Sequence, residues 1–249
     1  DFLIECAQGI SENTRKKLSA KAFTHTAEYD CLIANYLNPE TFPATLNISL
    51  HKLADLRYGE NPHQQASVYS DNSPGILQAE QLQGKPLSYN NIADADAALA
   101  CVAEFITPAC VIVKHANPCG VSTSTNINDA FFAAWHADGE SAFGGIVALN
   151  QPCTPEIAAF LKTVFFEVLI APDFSAGALA ELSSKKNLRI LKLDKKSQLS
   201  RLYKSVSGGL LVQTPDHSII TEKELVCVTN TKPTPADIAN CLFAWKVVK

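Results

Sequence analysis

Ala109-Cys110-Val111-Ile112-Val113-Lys114-His115-Ala116-Asn117-Pro118-Cys119-Gly120 is the stretch that decides the fold class. Ala109–Val113 is a short unbroken apolar run bounded by turn residues, which predicts a buried strand. Before it, Ile92, Ala95, Leu99, Val102, Ala103 and Ile106 recur at helical spacing over 91–106, and Pro108 ends that helix. After it, the pattern predicts a helix over 128–137 and a strand over Ile146–Leu149. Thr154-Pro155-Glu156 starts another helix, with a cap residue and then Pro at the first helical position. Phe165–Ala171 returns to strand, 175–187 to helix and Leu188–Leu193 to strand. Strands alternating with helices imply an α/β architecture built on a mixed, largely parallel sheet.

The flanks are different. Residues 11–37 read as a helix capped by Ser11, with Leu18, Ala22, Tyr29, Ile33 and Tyr36 approximating one face. Asn38-Pro39-Glu40 stops it, and 38–44, with Pro39 and Pro43, reads as a linker. Residues 45–53 alternate apolar and polar, as a half-buried strand does. The Lys-rich stretch 194–209 reads as a loop or crossover, Leu210–Gln213 as a short strand, and Thr234-Pro235-Ala236-Asp237 as the cap of a last helix. The chain has 249 residues, 47% hydrophobic and 18% charged, enough for one large domain or two small ones around a sizeable core. With 25 acids against 21 bases it lacks the basic excess that nucleic acid requires, and no apolar run is long enough to span a bilayer. Eight cysteines form no C-x-x-C pair, which points to a reduced, cytoplasmic protein. The chain contains no Met, begins in mid-pattern and ends inside an apparent helix, so it reads as a piece of a longer polypeptide.

Four segments could carry chemistry. Where the 109–113 strand runs out it delivers Lys114 and His115, and ligands of open α/β sheets collect beyond carboxyl strand ends. Neighbouring strand residues point to opposite faces, so both reach one ligand only if the pleat breaks; Asn117-Pro118-Cys119-Gly120 is turn chemistry able to break it. The plainer alternative is an exposed lysine beside a hydrogen-bonded edge histidine. His115 followed by Pro118-Cys119 resembles part of the zinc-deaminase signature, but Asn117 stands in place of its glutamate and Ser122 in place of its second cysteine, so zinc is not expected. Leu56-Arg57-Tyr58-Gly59-Glu60-Asn61-Pro62-His63-Gln64 holds one of only four arginines, a candidate phosphate or carboxylate fork or half of a surface ion pair. Ser141-Ala142-Phe143-Gly144-Gly145 permits close backbone approach to a flat ligand, or simply makes a tight turn. In Leu87-Ser88-Tyr89-Asn90-Asn91-Ile92-Ala93-Asp94, Asn91 reads as the helix cap, with Asp94 completing a weak capping box. Glu167 would be costly buried unpaired, so it faces solvent or meets a polar ligand.

These segments, together with Lys21-Ala22-Phe23-Thr24-His25-Thr26-Ala27-Glu28-Tyr29-Asp30, closely resemble the bifunctional purine biosynthesis proteins, which join an aminoimidazole carboxamide ribonucleotide (AICAR) transformylase to an inosine monophosphate (IMP) cyclohydrolase. The resemblance runs over essentially the whole chain. It implies that residues 1–44 are the helical tail of the cyclohydrolase domain and a linker. Residues 45–230 would be the first transformylase subdomain, a three-layer, cytidine-deaminase-like unit, and 231–249 the truncated start of the second. It implies formyl transfer from 10-formyltetrahydrofolate to the 5-amino group of AICAR. His115 would be the proton acceptor and Lys114 the electrostatic stabiliser or proton donor. Arg57 and Tyr58 would bind the nucleotide, and Asn91, Phe143, Gly144 and Glu167 would contact ligand. It further implies a homodimer in the intact protein, and a family potassium ion whose ligands would lie largely beyond Lys249. The alternative is a non-catalytic nucleotide-binding fragment, with half of the transformylase site missing.

Overall fold

A computed structural model describes residues 9–194 and 200–249. Residues 195–199 of the Lys-rich stretch, and Cys6, one of the eight cysteines, lie outside the described residues. The chain divides into two compact units, one of residues 1–53 with 69–71, the other of residues 54–68 with 72–249.

The smaller unit is dominated by α1 (Glu12–Leu37), which Ser11 caps by accepting from the Thr14 amide at 3.1 Å. None of its residues is buried, and Leu18, Ala22, Tyr29, Ile33 and Tyr36 of the expected stripe are all exposed. His51 Nε2 meets Glu28 Oε1 at 2.6 Å. The strand expected over 45–53 falls instead at β1 (His51–Leu56), paired with β2 (Ala66–Ser70). Alternation marks residues able to form a strand; the ladder forms only where a partner lies opposite.

The larger unit is a three-layer α/β/α sandwich. Its sheet has six strands in the order β3 (Glu80–Gln83), β8 (Arg189–Lys192), β7 (Val168–Ala171), β6 (Ile146–Leu149), β4 (Ala109–Lys114), β5 (Asn117–Thr123). Cys110, Ile112, Val147, Leu149, Leu169 and Ile190 face a layer made by α3 (Ile127–Ala137), α5 (Pro155–Thr163) and α6 (Ala176–Leu182). Ala109, Val111, Val113, Ile146, Ala148, Val168, Ile170 and Leu191 face the other side, covered by α2 (Tyr89–Ala103). Phe243 and Val247 of α7 (Pro235–Val248) also pack on that side. Alternate residues of each central strand therefore enter different cores, which is why the strands read as continuous apolar runs.

The sheet is mixed but not largely parallel. Only β6–β7 and β7–β8 are parallel; β3–β8, β4–β5 and β4–β6 are antiparallel. The antiparallel β4–β5 pair follows from the connection after β4. Lys114 pairs with Asn117, so His115-Ala116 is a two-residue turn and Asn117-Pro118-Cys119-Gly120, expected as a turn, is strand β5. A two-residue link can join only antiparallel neighbours. Proline is tolerated there because β5 is an edge strand, and the register slips between Ile112 and Val113, leaving Cys119 as the extra residue of a bulge in β5.

Helix α2 ends at Ala103, so Ile106 lies outside it and is 92% exposed. The expected 165–171 strand begins only at Val168. Of the stretch 194–209, expected as a loop or crossover, the described part contains β9 (Leu202–Val206), which forms an exposed hairpin with β10 (Gly209–Gln213) through Ser207-Gly208.

Candidate active site

The register puts one edge of the sheet in view. Val113 lies opposite Ile146, Ile146 opposite Val168, and Val168 opposite Arg189. The carboxyl end of β4 and the amino ends of β6, β7 and β8 therefore share an edge. Three of the four sequence segments converge there.

Lys114 is half-buried, and its ammonium donates to the carbonyl of Phe143 at 2.9 Å. This joins the strand end to the Phe143-Gly144-Gly145 segment. That segment is fixed from both sides. Gly144, at φ 76°, donates its amide to Phe165 O at 2.8 Å, and Gly145 O accepts from the Glu167 amide at 3.0 Å. A side chain on Gly145 would come within 2.9 Å of the Val113 carbonyl, so close backbone approach requires glycine there. Before it, Asp138 caps the four-residue α4 (Gly139–Ala142) through the Ser141 amide at 2.9 Å, and the hydrogen bonds from Ser141 hold its carboxyl below the usual value. Phe143 remains 53% exposed, its ring 5.6 Å from that of Phe165.

Asn91 is not the helix cap. Ser88 is: its hydroxyl accepts from the Asn91 amide at 3.2 Å, and the Asn91 side chain returns a bond from the Ser88 amide at 3.1 Å. The Asn91 amide group, 6% exposed, also donates to Glu167 Oε2 at 3.5 Å. Glu167 is held by Arg189, whose Nη1 lies 2.6 Å from the same oxygen and whose Nε donates to Pro86 O at 3.2 Å. Arg189 is 6% exposed, a buried charge whose partners are a carboxylate and two backbone carbonyls.

His115 is exposed and sits in the turn itself, at φ 56°, with Ala116 at φ 58°. Their amides donate to Asp94, at 3.2 Å to Oδ2 and 2.7 Å to Oδ1. The pleat thus breaks at His115 itself, two residues before the Asn117-Pro118 pair. The loop of Arg57 and Tyr58 reaches this end of α2 through Glu60, whose carbonyl accepts from Asn90 at 3.3 Å. Arg57 is exposed, its guanidinium 5.6 Å from the centre of the Tyr58 ring. Burial pushes the Cys119 thiol up, only partly offset by its own backbone hydrogen bond and by the nearby Lys114 ammonium, so it is no thiolate nucleophile at neutral pH. Among the described residues no three His, Cys, Asp or Glu side chains group as metal ligands.

Two roles at this edge escape a reading of the sequence: the hold of Arg189 on Glu167, and Asp94, expected in a capping box, accepting from the His115-Ala116 turn. Arg189 opens an apolar strand, as Glu167 precedes one; a lone charge at each of two strand heads is the available signal. Asp94 follows Asn91 at i+3, the spacing of one helix face.

The AICARFT/IMPCHase bienzyme family model matches residues 2–249. The chain belongs to that family. The bifunctional purine biosynthesis protein PurH of Bacillus cytotoxicus is 47% identical over 248 residues, covering 96% of this chain and 48% of that protein. The PurH of Bacillus cereus strain B4264 is 48% identical over the same length and coverage. The chain thus spans about half the length of these curated AICARFT/IMPCHase relatives. Among solved structures, Acinetobacter baumannii RibD is similar over 38% of this chain and 31% of its own, at 20% identity and a TM-score of 0.29.

Proposed function

We propose that this chain carries the Lys-His half of a formyltransferase site, and that the full-length protein moves the formyl group of 10-formyltetrahydrofolate to the 5-amino group of AICAR. The amine is conjugated through the imidazole to the carboxamide and is a weak nucleophile. Its nitrogen attacks the formyl carbon, the new C–N bond forms, and the carbon–N10 bond of the folate breaks. His115 takes the amine proton as general base. Lys114 stabilises the tetrahedral oxyanion and returns a proton toward the folate nitrogen. One of its three N–H donors is engaged by Phe143 O, which tethers the ammonium at the sheet edge.

Arg57 and Tyr58 bind the nucleotide in this reading, the guanidinium suiting a phosphate. Asn91, Phe143, Gly144 and Glu167 contact the aminoimidazole end: the buried amide and the Arg189-held carboxylate supply polar contacts, Phe143 a flat apolar one. The cytidine-deaminase-like description of the subdomain, the division at 44 and 230, the homodimer and the cytoplasmic location rest on the family resemblance. No step is assigned to potassium, because the resemblance puts its ligands beyond Lys249.

The observation that carries the reading is the Lys114–Phe143 bond beside the His115 turn, which unites two motifs 29 residues apart in one place. A direct formyl-transfer assay tests it. His115→Ala in the full-length protein is expected to lower kcat by about 10²–10⁴-fold. A rate within about threefold of the parent would refute the base assignment. The same assay on the 249-residue chain decides the alternative: binding of AICAR without turnover identifies a nucleotide-binding fragment.

A further inference from the structure

The turn bearing His115 is built from the wrong residues for its shape. A two-residue hairpin turn with positive φ at both central positions favours Asn-Gly or Gly-Gly. His115 and Ala116 hold φ values of 56° and 58°, which side chains with a Cβ resist. Such strain persists where the surroundings over-determine it. Asp94 supplies that hold. It lies one turn into α2 and takes no part in the capping box, which Ser88 and Asn91 close. Its two oxygens each accept one amide of the turn, Oδ1 from Ala116 at 2.7 Å and Oδ2 from His115 at 3.2 Å. A carboxylate receiving two adjacent amides is a charge-assisted fork, stronger and more directional than a neutral bond. A third tie closes the turn from the other side, where Asn117 Nδ2 donates to His115 O at 2.8 Å.

We propose that Asp94 is a positioning residue for formyl transfer: its carboxylate clamps the His115–Ala116 turn, and so fixes where the imidazole stands relative to the Lys114 ammonium. Asp94 itself touches no reacting atom. The inference rests on the formyl-transfer reading for its consequence, and on the two hydrogen bonds for its geometry. The same helix face that presents Asn91 to Glu167 thus presents Asp94 to the turn, and α2 sets both sides of the site.

The test uses Asp94→Asn in the full-length protein. Asparagine keeps the size but turns an NH2 toward one of the two amides. The His115 and Ala116 amides are expected to exchange with solvent at least ~10-fold faster. The kcat for formyl transfer should fall by about 10–100-fold, the size of effect a small misplacement produces, while KM for AICAR stays within about threefold. Adding Ala116→Gly, which takes positive φ without a Cβ clash, should restore part of kcat. Should Asp94→Asn fail to fold, Asp94→Glu serves instead: charge is kept, the fork is displaced by one methylene, and kcat should fall about 10-fold. Unchanged amide exchange, a kcat within twofold of the parent, or an apparent kcat falling only in proportion to the folded fraction would each overturn the proposal. A parent full-length protein lacking formyl transfer would instead overturn the reading of the reaction, while the exchange rates still decide the clamp.

Discussion

Arg189 and Glu167 show how a charge can be placed inside an otherwise apolar sheet edge. The guanidinium is buried, and its partners are the Glu167 carboxylate and the carbonyls of Pro86 and Glu167. Removing one member of a fully buried pair typically costs about 3–5 kcal/mol. The Glu167 side chain keeps 36% of its exposure, so water softens the loss. Arg189→Met should therefore destabilise the chain by about 2 kcal/mol, below the range for a fully buried pair. Urea unfolding measures it, and a loss under about 0.5 kcal/mol, the scale of an ordinary surface substitution, would show that the pair is not structural. Lys114 and His115 were legible as a pair because they end an apolar run. The positive φ of His115 was not, because nothing in His-Ala signals a turn that glycine would ordinarily occupy.

Among the elements, α3 and β5 pack more closely than their side chains suggest. A Cβ on Gly120 would lie 2.1 Å from the Ala134 carbonyl oxygen. Backbone cannot yield as a flexible side chain can, so Gly120→Ala must push the helix off the strand. Overpacking of this kind costs about 1–3 kcal/mol, and with backbone as the obstacle the upper end is expected. A thermal melt checks it; an unshifted midpoint would mean the two elements move apart freely. Three helices were readable from their caps: Ser11, Thr154 and Thr234 each begin one, because Ser and Thr satisfy helical amides that no carbonyl can reach. The strand β5 was not, since Pro118 and Gly120 are turn residues by propensity and are tolerated only by an edge position and a helix that needs a bare backbone against it. The antiparallel β4–β5 pair was missed for the same reason.

For the whole molecule, stability should be greatest near neutral pH. Asp138, Asp173, Asp216 and Asp237 are held below the usual 3.8: Asp138 by Ser141, Asp173 by Lys192, Asp216 by Ser218 and Asp237 by the Thr234 amide. The unfolded chain therefore takes up protons first, and stability is lost as pH falls below about 4. Burial, aided by Glu104, pushes the Cys101 thiol up to about 11; burial pushes Cys153 up to about 12 and Cys110 still higher. Here the folded chain keeps protons that the unfolded chain releases, so stability falls as pH rises through and beyond about 9. Unfolding midpoints across pH should form a plateau between these limits, and a maximum below pH 4 or above pH 9 would contradict the assignments. The three-layer α/β arrangement was legible because its central strands are apolar on both faces; the shared edge was not, because it depends on register.

The central claim is that the Lys114-His115 strand end is where the AICAR amine is deprotonated. A crystal structure of the full-length protein with AICAR bound tests it most directly. The account predicts the 5-amino nitrogen within about 2.6–3.2 Å of a His115 ring nitrogen, or one water away, with the phosphate toward Arg57. AICAR seated elsewhere, or with its amine beyond reach of that imidazole, would contradict it.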